Sequence, residues 1–330
     1  MPLQVELIHF LWLEMKKLLL TTAALLLGLL AHSQEADDLG SRYTEVTLVA
    51  RAEYSSAEDD HLGNSSFYAL LDGAFSPKLS YSVATHLLSS DPKSLYTNTL
   101  YSDSTNWLDW AYMTYDFGKF QFEFGKNMMQ WGTFEMQEYD FDSYFELASS
   151  YWMNIPSIYQ WGGKLSWTPG DSFFLAGQMT TSPCGEHPFA SGLYSYSLHS
   201  GVDPCDWYSG LFSLNFVETE KGEFQSVFNM GTKFMAGNWE IVWDSTTELT
   251  KGIPGSNMLY TTFTPSDKWS FMARVGFENA LFEFADNRWF GGLLANWYPI
   301  ESLRVHALAS YDTLIESATF NLGLTWQIIL

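Results

Sequence analysis

The sequence predicts an all-β protein, a transmembrane antiparallel β-barrel of about 16 strands, and three observations support this prediction. Aromatic residues make up 17% of the chain, whereas charged residues make up only 16%. Many segments alternate apolar and polar residues with a period of two, which is typical of strands with two unlike faces. After the N-terminal leader, no segment approaches the ~18 apolar residues of a membrane helix, whereas a barrel strand needs apolar residues only at every second position.

Residues 1–33 are predicted to be a secretory signal peptide. A Lys-Lys pair at 16–17 is followed by an apolar run that ends at Leu30 and by small residues suited to cleavage. The barrel domain is then 34–330. We interpret residues 1–14, which precede a second methionine, as a misassigned start. The alternative interpretation of the apolar run is a buried helix or an uncleaved anchor.

The net charge of the chain is strongly negative, at −22. The leader carries two acidic and two basic residues, so its removal leaves the charge unchanged. Such a charge argues against nucleic acid or an anionic surface as a partner. The seven histidines have no ligand-like spacing, so neither a metal nor another cofactor is predicted.

The clearest strand is the last one. One face carries only apolar side chains, and the other carries mostly small or polar ones. The period of two holds over the whole segment, which predicts a strand between lipid and a polar interior. The apolar face consists of Phe320, Leu322, Leu324, Trp326, Ile328 and Leu330.

The strand count depends on the region around the two cysteines. Short turns alternate with longer loops along the chain, and both termini on one side require an even number of strands. A strand at 191–199 with a turn at 201–206 gives 16 strands and places Cys184 and Cys205 at opposite rims. Across a barrel ~25 Å tall they cannot approach to the ~7 Å that a disulfide requires. We therefore expect unpaired thiols; a disulfide would instead indicate about 14 strands.

One long segment, 131–152, interrupts the alternation and is both acidic and aromatic. In the predicted strand order it lies in the third and longest outer loop, at about 127–157. A loop folded inward would pack its aromatic residues on the inner wall and expose its carboxylates to water, where acidic rings favour cations. The predicted constriction carboxylates are Glu135, Glu138, Asp140, Asp142 and Glu146.

The middle of the chain resembles the phosphate-selective-porin-like family of Gram-negative outer-membrane porins. The resemblance rests on three segments: FEFGKNMMQWGTFEMQEYDFDSYFELASSYWMN, IYQWGGKLSW and TTSPCGEHPFASGLYSYS. It implies an outer-membrane channel for passive diffusion of small hydrophilic solutes or ions, narrowed by an inward-folded third loop. It also implies contact with membrane lipid and a homotrimer. The apolar C-terminal residue, Leu330, resembles the C-terminal signal of outer-membrane proteins, in which phenylalanine is usual.

Basic residues on the inner wall are the predicted counterpart of the acidic loop. Arg51, Arg274 and Arg304 are the main candidates for such a wall, and Lys164 and Lys233 are weaker ones. Facing an acidic loop, they would create a transverse field across the channel. The alternative is that the arginines pair with interior carboxylates such as Glu53. Arg51 is near the outer end of its strand and Arg304 near the inner end of its own, so the two need not share one level.

Phosphate selectivity conflicts with the composition, since anion channels need dense positive charge. The chain has 16 basic residues against 38 acidic ones. We therefore expect weak cation preference or little selectivity.

Two other classes of function are compatible with a barrel. A barrel enzyme of the lipase or protease type would use His86 with Ser82, Ser89 or Ser90, or His199 with Ser195 or Ser197. Neither set has an orienting residue at a recognisable spacing, so no enzyme is predicted. A carbohydrate-binding or adhesive barrel would cluster its aromatic residues in the outer loops, whereas a membrane barrel places them on its outside.

Overall fold

The sheet is a single closed antiparallel barrel of 16 strands in which each strand pairs with its neighbours in sequence. The computed structural model describes residues 42–56, 65–89, 108–137, 158–185, 189–250, 253–279, 287–314 and 316–330. Within these ranges, none of the helices has the length and hydropathy of a membrane span. The predicted fold class, including the number of strands, is confirmed.

The strands are 9 to 14 residues long, the length that a tilted strand needs to cross a bilayer. One short helix, α1 (Phe134–Gln137), follows the fifth strand. In chain order the strands are β1 (Tyr43–Ser55), β2 (Ser66–Ser76), β3 (Leu79–Ser89), β4 (Leu108–Asp116), β5 (Phe120–Met128), β6 (Tyr159–Gly170), β7 (Phe173–Thr181), β8 (Tyr194–Cys205), β9 (Tyr208–Glu220), β10 (Glu223–Ala236), β11 (Trp239–Glu248), β12 (Ile253–Ser266), β13 (Trp269–Glu278), β14 (Arg288–Ile300), β15 (Leu303–Asp312) and β16 (Ser317–Ile329).

The barrel closes where the first strand meets the last. The ladder between β1 and β16 runs from Thr47 opposite Ile329 to Ser55 opposite Asn321. The amide of Leu330 extends it by donating to the carbonyl of Val46 at 2.9 Å. In hydrocarbon there is no water to satisfy backbone groups, so this closure removes the sheet edges that lipid could not accept.

The strand predicted at 191–199 exists, but it is longer than predicted. β8 continues to Cys205, and the chain turns at 206–207 rather than over 201–206. Its pairing with β9 shifts register between Val202 and Cys205. Pro204 lies in that irregular stretch, where the missing amide hydrogen costs no ladder bond. The turn predicted at 201–206 is therefore an irregular stretch of strand pairing near the end of β8.

The outer face is apolar and carries a band of tryptophans near the short turns. Trp239 stacks on Phe263 with ring centroids 4.5 Å apart, and Trp269 lies 6.1 Å from Trp297. Aromatic rings at this height suit the interface between lipid and water, and their position on the outside favours a membrane role over carbohydrate binding. The exposed tryptophans of this band are Trp167, Trp207, Trp239, Trp269, Trp297 and Trp326.

The inner face is divided into two sectors. From β7 to β11 it presents buried polar side chains such as Gln178, Ser197, Ser213, Asn215 and Asn229. From β11 to β15 it carries an apolar cluster beside buried polar side chains such as Asp244, Arg274 and Arg304. This apolar sector consists of Val242, Met258, Tyr260, Met272, Phe290, Leu294 and Leu308.

The two cysteines lie at opposite ends of β8, and both are free thiols. Cys184 follows β7 in the loop before β8, where its amide donates to Ser182 Oγ. Cys205 ends β8 at the next short turn, opposite Tyr208. A strand of this length spans about 35–40 Å, so the two sulfurs cannot meet.

We predict that only Cys184 reacts with a membrane-impermeant maleimide on intact cells, because the longer loops of such barrels face outward. Desolvation raises the pKa of the Cys184 thiol, so labelling is measured at mildly alkaline pH, where more thiolate is present. The variants Cys184→Ser and Cys205→Ser are the controls. Labelling that persists in Cys184→Ser, or a disulfide seen in non-reducing electrophoresis, would contradict this topology.

Candidate functional site

The candidate site is the inner wall together with residues 129–137, which we call the entering segment. The segment follows β5 directly, and its first amide, that of Met129, donates to the carbonyl of Ile158 at 2.8 Å. Met129, Trp131 and Phe134 are buried. Its remaining contacts cross the inner face of the barrel from β7 to β13.

The segment first contacts β7 and β8 through amide groups. The backbone amide of Gln130 donates to Gln178 Oε1 at 2.7 Å, and Gln178 Nε2 donates to the carbonyl of Met128 at 3.0 Å. The side chain of Gln130 lies 3.0 Å from His199 Nδ1. The His199 imidazole is buried between this amide and the ring of Phe174. It therefore helps to hold the segment in position.

A small polar network on β9 to β11 makes the next contact. Ser213 Oγ accepts the backbone amide of Gly132 at 3.1 Å. The same oxygen accepts from the amide groups of Asn215 and Asn229, each at 3.0 Å, and Thr246 donates to Asn229 at 2.7 Å. Buried polar side chains of the wall thus bind both one another and the backbone of the segment, as burial requires.

Asp244 on β11 makes two contacts with the segment. Its Oδ1 accepts the hydroxyl of Thr133 at 2.7 Å, and its Oδ2 accepts the backbone amide of Glu135 at 2.6 Å. Gly231 on the neighbouring strand leaves the required space, because a Cβ there would lie 2.3 Å from Asp244 Oδ1 and 2.8 Å from the Phe134 ring.

Phe134 anchors the segment on the apolar sector. Its ring is 5% exposed and belongs to the cluster formed by the inner side chains of β11 to β15. Lys233 Nζ lies 4.7 Å from the centre of the same ring, within the range of a cation–π contact. Burying a phenylalanine contributes about 1.5–3 kcal/mol, so this contact adds an apolar anchor to the polar ones.

Glu135, the first predicted constriction carboxylate, makes an ion pair with Arg274. Arg274 Nη1 lies 3.6 Å from Glu135 Oε1, and its guanidinium carbon lies 4.5 Å from the ring of Tyr260. The two predicted residues therefore meet directly. The other four predicted carboxylates, Glu138, Asp140, Asp142 and Glu146, lie outside the described residues, as does the rest of the predicted loop from 138 to 157. The long inward-folded loop as a whole therefore stays a prediction.

Arg51 and Arg304 lie on either side of one residue of the wall, although their strand positions placed them near opposite ends of the barrel. Arg51 pairs with Thr325 across the β1–β16 ladder, and Arg304 pairs with the same Thr325 across β15–β16. Barrel strands are tilted and staggered, so position within a strand does not give height. Arg51 also bonds to Glu53, whose Oε2 lies 2.9 Å from His306 Nε2. The pairing with Glu53 that the sequence left open is present.

Lys164 and Lys233 also make ion pairs within the wall. Lys164 Nζ lies 2.8 Å from Glu123 Oε1, and Lys233 Nζ lies 3.6 Å from Glu240 Oε2. A carboxylate thus lies within 4 Å of each of four predicted basic residues, Arg51, Arg274, Lys164 and Lys233. These contacts locally offset the positive charge proposed to face the acidic loop.

Sequence reasoning did not identify the anchoring residues of the wall, namely Asp244, Ser213 and Gln178. Polar side chains are common at the inner positions of barrel strands. The residue type alone therefore does not show which of them binds the segment. The apolar sector was also missed, although inner-facing Leu308 between His306 and Ser310 is a departure from the alternation that the sequence does show.

The geometry gives little support to the alternative of a barrel enzyme. His199 is buried and contacts Gln130, and its ring is 3% exposed. A catalytic imidazole must reach a substrate, and this one is enclosed. The side chain of His86 lies outside the described residues. Among the residues that the structure describes, no group of three histidine, cysteine or carboxylate side chains could hold a metal ion.

Comparison with known proteins identifies the fold. No family model and no curated sequence matches the chain. Among solved structures, the chain is similar to a loop-deletion mutant of OmpT, an outer membrane protein of Vibrio cholerae, with a TM-score of 0.61 and 14% identity over 87% of this chain and 99% of that one. A mutant of the Rh. blastica porin gives 0.59 at 8% identity, and another refined porin gives 0.57 at 9%, each over 87% of this chain and all of theirs.

Identities this low establish the architecture alone, which is that of a porin-like outer-membrane barrel. The outer membrane is the location that this architecture supports. The resemblance to the phosphate-selective family finds no counterpart in these comparisons.

We predict that Asp244→Ala releases the entering segment. Losing two hydrogen bonds to one carboxylate costs about 1–3 kcal/mol, enough to raise local opening by about tenfold. Cleavage of the refolded protein by a glutamate-specific protease, mapped by mass spectrometry, measures this opening at Glu135 and beyond.

Asp72→Ala is the control, because it removes a carboxylate from the inner face of β2, outside the stretch from β7 to β13 that the segment contacts. Equal cleavage rates in Asp244→Ala and Asp72→Ala would show that Asp244 is not an anchor. Retention of the compact, heat-sensitive band in unboiled electrophoresis verifies that both variants fold.

Proposed function

We propose that the protein is an outer-membrane porin, a water-filled channel for passive diffusion of small hydrophilic solutes or ions. The observation that carries this proposal is the path of the entering segment along the inner wall, with contacts from Gln178 on β7 to Arg274 on β13. A segment held inside a closed barrel narrows the lumen. Together with the acidic residues that follow it in sequence, it forms the constriction loop, over about 127–157.

Within this proposal the constriction carboxylates are Glu135, Glu138, Asp140, Asp142 and Glu146. Charged rings in a narrow passage select ions of the opposite sign, so the channel prefers cations weakly. Glu135 contributes less than the others, because Arg274 offsets its charge. The wall cations are also largely paired with carboxylates, which leaves little positive charge for phosphate. Phosphate selectivity is therefore not part of the proposal.

The proposed channel needs membrane lipid around its apolar face and functions without a cofactor or an enzymatic reaction. A homotrimer is the assembly that the family resemblance implies. The enclosed position of His199 supports a non-enzymatic role, because a barrel hydrolase presents its histidine to a substrate near the rim.

We predict that the refolded protein forms stepwise channels in planar bilayers, with a reversal potential in a salt gradient that indicates weak cation preference. Neutralising the four carboxylates beyond the entering segment, as Glu138→Gln, Asp140→Asn, Asp142→Asn and Glu146→Gln together, moves the permeability ratio of cation to anion towards one. The cause is the loss of fixed negative charge at the narrowest point.

A charge-matched control changes four exposed carboxylates at the short turns: Asp116→Asn, Asp171→Asn, Asp206→Asn and Asp267→Asn. These positions lie at one mouth of the barrel, where salt screens them, so the control retains most of its selectivity. A clear anion preference of the unmodified protein, or equal effects of the two quadruple variants, would refute the constriction proposal. Absence of conductance in folded protein would refute the channel itself.

A further inference from the structure

Charge is distributed unevenly around the short-turn rim of the barrel. Within the described residues, the rim from β1 to β5 carries three exposed cations, which we call the basic arc: Arg42 before β1, Lys78 between β2 and β3, and Lys119 between β4 and β5. From β6 to β15 the described rim carries one exposed cation, Lys268, and five exposed carboxylates. These carboxylates are Asp171, Asp203, Asp206, Asp267 and Glu301. A chain with a net charge of −22 therefore has one positive stretch of rim.

Hydrogen bonds join the basic arc into one continuous surface. Arg42 Nε donates to the carbonyl of Phe75, near the end of β2, at 3.1 Å. The amide of Asp116, in the turn after β4, donates to the carbonyl of Lys78 at 2.8 Å. Adjacent strands are ~4.8 Å apart, so the arc from β1 to β5 covers about 20 Å of the rim.

The carboxylates near the arc do not cancel its charge. Asp116 lies in the same turn as Lys119, where its Oδ1 accepts an amide of that turn at 2.6 Å. Three cations and this one carboxylate leave a charge of +2. Glu45 and Asp72 are paired across the β1–β2 ladder on the inner face, away from lipid. Neither Lys78 nor Lys119 makes an ion pair with another residue that the structure describes.

The lipid-facing surface beside the basic arc also differs from the rest of the barrel. The six exposed tryptophans of the band lie from β6 to β16. Beside the arc, exposed Phe75, Tyr115 and Phe117 are found instead, and the rings of Tyr115 and Phe117 are 5.3 Å apart. Lysine side chains lay their apolar stems along such surfaces and keep the ammonium group in water. The cations of the arc are therefore suited to the level of lipid headgroups.

We propose that the basic arc binds anionic phospholipid headgroups in the leaflet at the short-turn end, with the acyl chains packed on Phe75, Tyr115 and Phe117. Basic residues at a membrane surface attract anionic lipids, and each adds a preference of roughly fivefold over a neutral headgroup. This interaction goes beyond the proposed channel, because it involves the lipid-facing rim and not the lumen.

The acidic turns further along the rim do not abolish this attraction. Asp171 lies in the next short turn after Lys119, two strands away, which corresponds to about 10 Å. That separation is about one Debye length at ~0.1 M salt. Salt therefore screens much of the repulsion between these turns and a headgroup on the arc, whereas a headgroup in contact with the arc is screened less.

Native mass spectrometry of the refolded full-length protein in non-ionic detergent measures the lipid preference. Dioleoyl-phosphatidylglycerol is the anionic probe, and an equal amount of dioleoyl-phosphatidylcholine is the neutral competitor. We expect the unmodified protein to retain more of the anionic lipid. Lys78→Gln combined with Lys119→Gln lowers the ratio of retained anionic to neutral lipid about tenfold. Adding Arg42→Gln lowers it by a further, smaller factor, because Arg42 Nε already donates to a backbone carbonyl.

Lys221→Gln combined with Lys268→Gln is the charge-matched control. Lys268 lies on the acidic part of the same rim, and Lys221 lies in a turn at the other end of the barrel, both exposed. This control retains the lipid ratio of the unmodified protein. An equal loss in the two double variants would show that net charge and not the arc sets the preference. Equal retention of both lipids by the unmodified protein would also refute the proposal.

Two further readouts separate phospholipid from other partners of the arc. Glycerol 3-phosphate carries a similar anionic group without acyl chains, so binding as tight as that of dioleoyl-phosphatidylglycerol would overturn the assignment to lipid. The same spectra report the oligomeric state. Loss of an oligomer in the Lys78→Gln and Lys119→Gln variant, with an unchanged lipid ratio, would assign the arc to a contact with a second copy instead.

This lipid measurement is independent of conductance. Conducting protein that retains the two lipids equally would refute the lipid site and leave the channel standing. Preferential retention of the anionic lipid by protein that never conducts would refute the channel and leave the lipid site in place.

Discussion

Closure of the backbone ladder is the constraint on which the whole molecule depends. Lipid offers no hydrogen bonds, so every strand needs a partner on both sides, and β1 can obtain its second partner only from β16. Closure fixes the register, and a slip by one residue would turn each inner side chain towards lipid. The pairing of Arg51 with Thr325 and the position of every polar group on the wall follow from that register.

The same requirement governs the segment that leaves the sheet. Backbone amides at 130, 132 and 135 have no strand to pair with, and each donates instead to a side-chain oxygen of the wall, on Gln178, Ser213 and Asp244 respectively. Irregular backbone inside a protein persists only where such acceptors exist. The wall therefore does more than enclose a lumen: its polar sector supplies the acceptors, and its apolar sector receives Phe134.

The architecture could be predicted because a membrane barrel imposes a period of two on each strand, and that signal survives in single segments such as the last strand. The strand at 191–199 was harder to delimit, since the irregular pair near Pro204 resembles a turn locally. The anchors of the wall were beyond prediction for a different reason. Asp244 meets Thr133 across 111 positions of sequence, and no local pattern encodes a contact between a strand and a segment that crosses the lumen. For Arg51 and Arg304, predicting the residue type was possible, but their common neighbour Thr325 follows from the stagger of the barrel.

The arginine pair at the seam has a consequence for assembly of the barrel. Glu53 and His306, which flank it, are 253 positions apart, and bringing such distant segments together carries the entropy of closing a very long loop. The contact between Glu53 and His306 does not form until that loop closes, whereas each hairpin can form from neighbouring residues. The contacts at this seam therefore stabilise the closed barrel as a whole and not any single hairpin.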